Sequence, residues 1–150
     1  MTAGVGAHTE TGEALAADLR LAVGRLARKL RQVQLGGLSS SQVSALASVE
    51  RLGPVRLGDL AAAEGVTGPT LTKIVAHLET IGLVTRAADE ADRRAARITL
   101  TAEGRERLVR IRSDRDAFLE QRLGALDPDA RASLAAALPV LRALADEGER

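Results

Sequence analysis

A short run of hydrogen-bond donors offers the most specific chemistry in this sequence. It holds Thr67, Thr70, Thr72, Lys73 and His77 within eleven residues. Hydroxyl and ammonium groups bind phosphate oxygens, and a lysine can also donate to guanine O6 and N7 in the DNA major groove. Thr72 and Lys73 are therefore candidates for contacts with base edges, and Thr70 is a candidate for a phosphate contact. His77 either contacts a phosphate or is simply exposed.

These donors need a helix that begins near Thr67 and presents its first turns. The spacing of apolar residues predicts such a helix over 67–81, with Gly82 as the residue that ends it. Thr67 can accept a backbone N–H at the helix start, and Gly68 and Pro69 keep the first turn slim. A slim N-terminus can approach the floor of a groove, where the helix dipole also favours phosphates. The alternative is that the threonines only cap the helix and face solvent.

The preceding residues predict another helix that crosses this one at a tight turn. A helix over 57–64 places Ala61 where two helices cross closely and a larger side chain would push them apart. Gly65 follows four residues later and can adopt the left-handed backbone of the turn. The apolar residues that return the second helix to the first are Val66, Leu71 and Ile74. This spacing is typical of a helix-turn-helix.

A short hairpin is predicted directly after the helix-turn-helix. Residues 83–86 and 96–100 have strand character, and Ile98 and Leu100 alternate with polar neighbours as in a half-buried strand. The loop between them is strongly charged, and its candidate functional residues are Asp89, Asp92, Arg93 and Arg94. This order of elements predicts a winged helix-turn-helix, with the hairpin as the wing.

Both ends of the chain are predicted to be helical. Apolar side chains recur at helical spacing from Glu13 to about residue 34, and two further helices begin at Thr101 and at Asp127. Pro139 lies inside the last helix and should kink it or leave one hydrogen bond unmade.

The predicted fold is therefore mainly α with a small β-hairpin wing. It has a disordered tail (1–12), a winged helix-turn-helix lobe (38–101) and a helical dimerisation region (13–35 and 102–147). The leucines predicted to form the dimer interface are Leu15, Leu19, Leu26, Leu134, Leu138, Leu141 and Leu144. A monomer would expose more apolar surface than soluble monomers usually tolerate, which favours a homodimer on an inverted-repeat site. An intramolecular helical bundle is the alternative.

Composition narrows the possible functions. The 150 residues include no cysteine, which excludes disulfides, cysteine-ligated zinc and thiol redox sensing. Of the two histidines, His8 lies in the predicted tail, so a metal site with His77 is not expected. We find no catalytic constellation and expect neither an enzyme nor a cofactor. No segment approaches the roughly 20 apolar residues of a membrane span, which favours a cytoplasmic protein without a membrane partner.

The net charge of +1 hides a gradient along the chain. Residues 13–35 carry a net charge of +3, whereas residues 113–150 carry −3. A basic body with an acidic tail could face DNA on one side. An ordinary solvated surface of mixed charge is the alternative.

The sequence resembles the MarR family of bacterial transcriptional regulators from about residue 13 to 147. Three segments carry the resemblance: LSSSQVSAL, VTGPTLTKIVAHLETIGLV and DEADRRAARITLTAEG. The resemblance implies a homodimer with one winged helix-turn-helix in each subunit and interlocked terminal helices. It also implies a transcriptional repressor that binds double-stranded DNA and releases it when a small molecule enters the cleft between the dimerisation region and the DNA-binding lobe.

The resemblance also assigns roles in the wing. Asp89, Asp92 and Arg94 match the family's D-x-x-D-x-R arrangement. It implies that the arginine enters the DNA minor groove while an aspartate holds it extended. A narrow A·T-rich groove concentrates negative potential, so a pre-positioned guanidinium gains most there. Arg93 is the rival for insertion, and an exposed salt bridge without a function is the alternative to both.

The effector is less defined than the DNA contacts. The resemblance implies a small aromatic or lipophilic ligand, but Phe118 is the only aromatic residue and its spacing is more typical of a core position. The competing functions are a ligand-independent regulator and an architectural DNA-binding protein, which would usually be more basic.

Overall fold

The computed structural model describes residues 5–33, 35–92 and 95–146. Its elements, in chain order, are α1 (Val5–Gln32), α2 (Ser40–Leu52), β1 (Val55–Arg56), α3 (Leu57–Glu64), α4 (Gly68–Thr80), β2 (Val84–Ala88), β3 (Ala96–Leu100), α5 (Ala102–Gly124) and α6 (Pro128–Asp146). Helices dominate and the strands form one small sheet, which confirms the predicted fold class.

The chain divides into two compact units within α5. The first unit ends at Asp114 and contains α1 to α4, the sheet and the first part of α5. The second unit begins at Arg115 and contains the rest of α5 and α6.

Helix α1 is longer than the sequence predicted. It begins at Val5, eight residues before the expected start at Glu13. Residues 5–12 are therefore helical, and their assignment to a disordered tail was wrong, while residues 1–4 lie outside the described part. The physical reason is that extending a formed helix adds one hydrogen bond for each residue fixed, and no proline interrupts this stretch.

The sheet has three antiparallel strands in the order β1-β3-β2. In the predicted hairpin, Val84 pairs with Leu100 and Ala88 with Ala96. The third strand, β1, was not predicted, because two residues are too few to show the alternation that identifies a strand. It pairs with β3 and thereby fixes the start of α3 against the wing.

An aliphatic core holds α2, α3 and α4 together. Leu46, Leu60, Leu71 and Leu78 are fully buried, and Ala61 is buried beside them. Burial of each such leucine contributes roughly 1.5–3 kcal/mol relative to exposure. The remaining predicted members of this face, Val66 and Ile74, are half-buried and lie against the same cluster.

The turn of the helix-turn-helix has the predicted backbone. Gly65 has φ 63° and ψ 31°, the left-handed conformation that a side chain would disfavour. Its N–H donates to Ala62 O at 3.2 Å, and the Val66 N–H donates to Ala61 O at 3.1 Å. These bonds close the end of α3 as a left-handed C-terminal cap.

The start of α5 is fastened to the end of the hairpin. The Thr101 hydroxyl donates to Gly82 O at 2.7 Å and caps α5 by accepting the Gly104 N–H at 3.0 Å, at the position where the sequence predicted the helix to begin. The Thr101 N–H also donates to Leu83 O at 3.1 Å. A Cβ at Gly104 would overlap the Leu83 carbonyl oxygen, so only glycine allows this close approach.

Helix α6 continues through Pro139 from Pro128 to Asp146. Proline has no N–H, so one backbone hydrogen bond of this helix is missing, as the sequence predicted. None of the described helices is long and apolar enough to cross a bilayer.

Candidate nucleic-acid interface

Helix α4 begins as predicted, but the hydroxyl of its N-cap residue Thr67 does not bind the backbone as expected. Thr67 has the extended backbone of an N-cap, yet its hydroxyl caps no backbone N–H and lies 2.9 Å from the Thr70 hydroxyl. The expectation that Thr67 accepts a backbone N–H was therefore wrong. The reason is Pro69, the second residue of the helix, which lacks one of the two N–H groups that an N-cap side chain usually binds. The two threonines bind each other at the exposed helix start.

Thr72 already uses its donor within the helix. Its hydroxyl donates to Gly68 O at 2.9 Å, while the side chain remains exposed. A threonine held in this way presents acceptor lone pairs and a methyl group to a groove. It therefore suits an adenine or cytosine amino group or a thymine methyl better than a guanine acceptor.

The remaining donors of α4 share one exposed stripe. Thr70, Lys73 and His77 follow at steps of three and four residues, and all three are exposed. The opposite side of the helix carries Leu71 and Val75, which are buried. Among the described residues, none forms an ion pair with Lys73, so its ammonium group is available for an external partner.

The base of the wing is closed by backbone bonds. The Asp89 N–H donates to Ala95 O, and the Ala95 N–H donates to Asp92 O, each at 2.9 Å. Arg93 and Arg94, the two candidates for minor-groove insertion, lie outside the described residues. The structure thus defines the platform that carries them.

Asp89 is the centre of this platform. It is only 3% exposed, and its Oδ2 accepts Arg56 Nε at 2.8 Å and lies 2.7 Å from Arg56 Nη2. The same oxygen lies 3.2 Å from Arg97 Nε, while Oδ1 accepts the Ala91 N–H at 3.0 Å. The Ala91 N–H and then the Arg56 guanidinium lower the pKa of Asp89 below its usual range. The carboxylate is therefore held ionised in the folded protein.

The register of the sheet explains why a carboxylate is needed here. Arg56 of β1 pairs directly with Arg97 of β3. Like charges that face each other across an antiparallel pair are destabilising. Asp89 bridges the two guanidinium groups and reduces their repulsion, and Arg97 Nη1 also donates to Pro54 O at 3.0 Å. The Asp89 carboxylate therefore binds residues at the base of the wing.

Sequence reasoning did not identify Arg56 as part of the site. It lies 33 residues before Asp89 in a strand of two residues, so no local pattern links them. The only available signal was two arginines and one aspartate on elements that a winged fold brings together. A second link, from Arg86 Nε to Glu79 Oε2 at 3.1 Å, joins β2 to α4.

The predicted dimerisation residues are largely exposed. The most exposed are Leu15 (66%), Leu144 (58%) and Leu26 (44%), and Leu134 and Leu138 are also exposed. Leu19 and Leu141 are half-buried. Within α6, which is described along its whole length, no side chain is buried.

Two further features bear on ligands. Phe118 is half-buried, and the Arg122 guanidinium lies over its ring at 4.4 Å from the centroid. Among the described residues, no three His, Cys, Asp or Glu side chains are grouped as a metal site would require.

Comparison with known proteins gives a consistent answer. The MarR family model matches residues 38–96. An HTH-type transcriptional regulator of Mycobacterium tuberculosis is 37% identical over 134 residues, covering 89% of this chain and 94% of its own.

Solved structures share the fold. A transcriptional regulator from Thermotoga maritima is 27% identical, with a TM-score of 0.75 over 90% of this chain and 96% of its own. Staphylococcus aureus MepR, solved as a mutant bound to an oligodeoxyribonucleotide, has a TM-score of 0.68 at 21% identity, covering 88% of this chain and 98% of its own. With the winged helix-turn-helix described above, these relationships show that the chain belongs to the MarR family of DNA-binding transcriptional regulators.

Proposed function

We propose that this protein is a homodimeric repressor that binds an inverted-repeat operator and is released by a small ligand. The observation that carries the proposal is the exposed stripe of Thr70, Lys73 and His77, which runs from the first to the last turn of α4. Its donors face outward while the opposite side of the helix is buried in the core, which is the arrangement a recognition helix needs in a major groove.

The DNA contacts divide by chemistry. Lys73 can donate to a guanine edge, and Thr72 offers a methyl group and lone pairs to neighbouring bases. Thr67 and Thr70, together with the slim turn at Gly68 and Pro69, suit phosphate contacts at the positive end of the helix dipole. His77 extends the same stripe toward the backbone.

The wing supplies the second contact. We assign minor-groove insertion to Arg94, with Arg93 as the alternative. The support is the base of the wing, where Asp89 binds Arg56 and Arg97. A guanidinium presented from a fixed base loses less conformational entropy on entering a narrow groove.

The dimer would bury the exposed leucines of the terminal helices. Leu15 and Leu26 of α1 and Leu134, Leu138 and Leu144 of α6 are exposed in the single chain. Large apolar patches on a monomer usually mark an interaction surface. A two-fold axis would place two α4 helices about one DNA turn apart, which predicts an inverted repeat.

Release of DNA by a small ligand is inferred from the family resemblance. The expected ligand is a small aromatic or lipophilic compound. MepR is described as regulating a multidrug efflux pump, so a divergent transporter gene beside this gene would support the same class.

Fluorescence anisotropy tests the proposal with the protein's own upstream DNA and a shuffled duplex at fixed salt. We expect the upstream duplex to bind roughly 10³-fold or more tightly than the shuffled one. Lys73→Gln should weaken the upstream complex, whereas Arg142→Gln, on α6, is the charge-matched control and should not. Equal binding of both duplexes would replace the repressor by an architectural protein. Specific binding that no tested compound changes would replace the ligand-responsive mechanism by a ligand-independent one.

A further inference from the structure

Helix α1 carries an unusual concentration of positive charge. Between Leu19 and Val33 there are five basic side chains and no acidic one. They are Arg20, Arg25, Arg28, Lys29 and Arg31, and all five are exposed. These residues give the N-terminal region its positive charge. They belong neither to α4 nor to the wing.

Four of these basic side chains line one groove, and they belong to Arg20, Arg25, Arg28 and Arg31. Arg20, Gly24, Arg28 and Arg31 follow at steps of four, four and three residues, so they lie on one side of the helix. The groove has a volume of about 400 Å³ and is lined by Arg20, Leu21, Gly24, Arg25, Arg28 and Arg31. Space is open above Gly24, where an added Cβ would meet no atom within 4 Å. We call this surface the cationic groove of α1.

The charges of the groove are not neutralised within the described part of the chain. Six other arginines form ion pairs: Arg56, Arg86, Arg97, Arg107, Arg110 and Arg112. None of the ion pairs among described residues includes an arginine of the cationic groove. Like charges three or four residues apart on one helix face repel each other and destabilise the helix. An external anion would remove that repulsion.

The other side of α1 limits which partner this can be. Leu15, Leu19, Leu26 and Leu30 recur on a different side of the helix from the groove. A second copy of the chain, whose apolar leucines need cover, would therefore bind that side and leave the groove open. Because the groove is open, a small anion bound there would stay hydrated and would bind weakly. A ligand that makes many such weak contacts at once is favoured instead.

We propose that the cationic groove of α1 binds the phosphate backbone of DNA outside the bases read by α4. The inference rests on the proposed DNA-binding function and adds a second contact surface to it. Arg20 and Arg31 are separated by roughly 16 Å along the helix, a length over which duplex DNA carries about ten phosphates. Such contacts carry no sequence information, so they raise the affinity for every duplex alike.

The test compares two triple variants that lose the same charge. One is Arg20→Gln/Arg28→Gln/Arg31→Gln, and its control is Arg51→Gln/Arg110→Gln/Arg142→Gln on α2, α5 and α6. Glutamine keeps the helix propensity high, and circular dichroism checks that both variants stay folded. Each is titrated by anisotropy against the upstream and the shuffled duplex at several salt concentrations, and its oligomeric state is measured by light scattering.

We expect the α1 variant to lose affinity for both duplexes by the same factor, with their affinity ratio unchanged. The magnitude of the slope of log affinity against log salt should decrease by about 2–3 for each subunit of the bound dimer, close to 0.9 for each lost phosphate contact, and by less than about 1 per subunit for the control. Equal slopes for the two variants would overturn the inference while leaving the proposed function intact. A change in dimerisation alone would assign the groove to a second copy, and binding to anionic vesicles without any effect on DNA would assign it to a membrane surface. If the wild-type protein binds neither duplex, the proposed function fails, and the inference fails with it.

Discussion

The core leucines of α2 to α4 and the exposed leucines of the terminal helices are in opposite environments. Leu46, Leu60 and Leu71 are 0% exposed, whereas Leu15 is 66% and Leu144 is 58% exposed. The two groups have the same side chain and similar helical spacing. The helix-turn-helix therefore completes its own core within one chain, whereas the exposed leucines of the terminal helices support the proposed dimer.

The largest loss of stability should come from the substitution of a buried leucine. Leu71→Ala should lower the free energy of unfolding by about 2–5 kcal/mol, because the removed atoms leave a cavity in a filled core. Leu144→Ala is the matched control at an exposed position. Urea unfolding at two protein concentrations should show the same loss for Leu71→Ala at both, and a loss for Leu144→Ala only where dimers form. Equal losses for the two variants at low concentration would contradict the comparison.

A charge placed in the exposed group should separate the subunits. In Leu138→Glu, each interface leucine removed should cost roughly 1.5–3 kcal/mol of association, and two copies are lost in a symmetric dimer. Sedimentation velocity over a dilution series measures this change. Leu52→Glu is the control, because Leu52 is a comparably exposed leucine (41%) at the end of α2, outside the proposed dimerisation region, and this variant should leave the dimer unchanged. A wild-type protein that stays monomeric at micromolar concentration would rule out the dimer.

The wing tip should matter for DNA and not for assembly. Arg94→Ala should weaken operator binding by about 1–3 kcal/mol, or roughly tenfold to a hundredfold, while the dimer stays intact. Arg110→Ala is the control, since Arg110 only forms an exposed ion pair with Glu106. If Arg93→Ala is the more damaging of the two wing variants, the insertion belongs to Arg93.

The smallest effect should be a pH dependence at Asp89. Its pKa lies below the ordinary value of about 3.9, so the unfolded chain takes up this proton first as the pH falls. The stabilising contribution is therefore fully present above about pH 4 and is lost as the pH drops through the lower pKa of the folded state. Urea unfolding from about pH 6 downward should show this loss, and Asp89→Asn should reduce it. An unchanged pH profile in that variant would contradict the role given to Asp89.

The helix-turn-helix could be predicted because its signals are local. Ala61, Gly65 and Leu71 lie within eleven residues, and each has one physical role that its type reveals. The paired strands of the hairpin were identified for the same reason. Local periodicity and turn chemistry need no knowledge of the rest of the chain.

The errors and omissions arise where a residue depends on distant or competing groups. The Arg56–Asp89 pair joins elements 33 residues apart, so the sequence alone did not reveal it. Thr67 was expected to cap a backbone N–H, but Pro69 removes one of the possible donors. The start of α1 was placed too late, because helix extension depends on the accumulated length of the helix more than on any single residue.

The fastening of α5 to the hairpin has a mechanical consequence. Thr101 is bonded to both Gly82 and Gly104, and the close approach at Gly104 leaves no room for slip. Contacts this close transmit a rotation of one element to the other. We therefore expect the first turn of α5 to move as one body with the base of the hairpin, so that a rotation of this turn changes the direction of the wing.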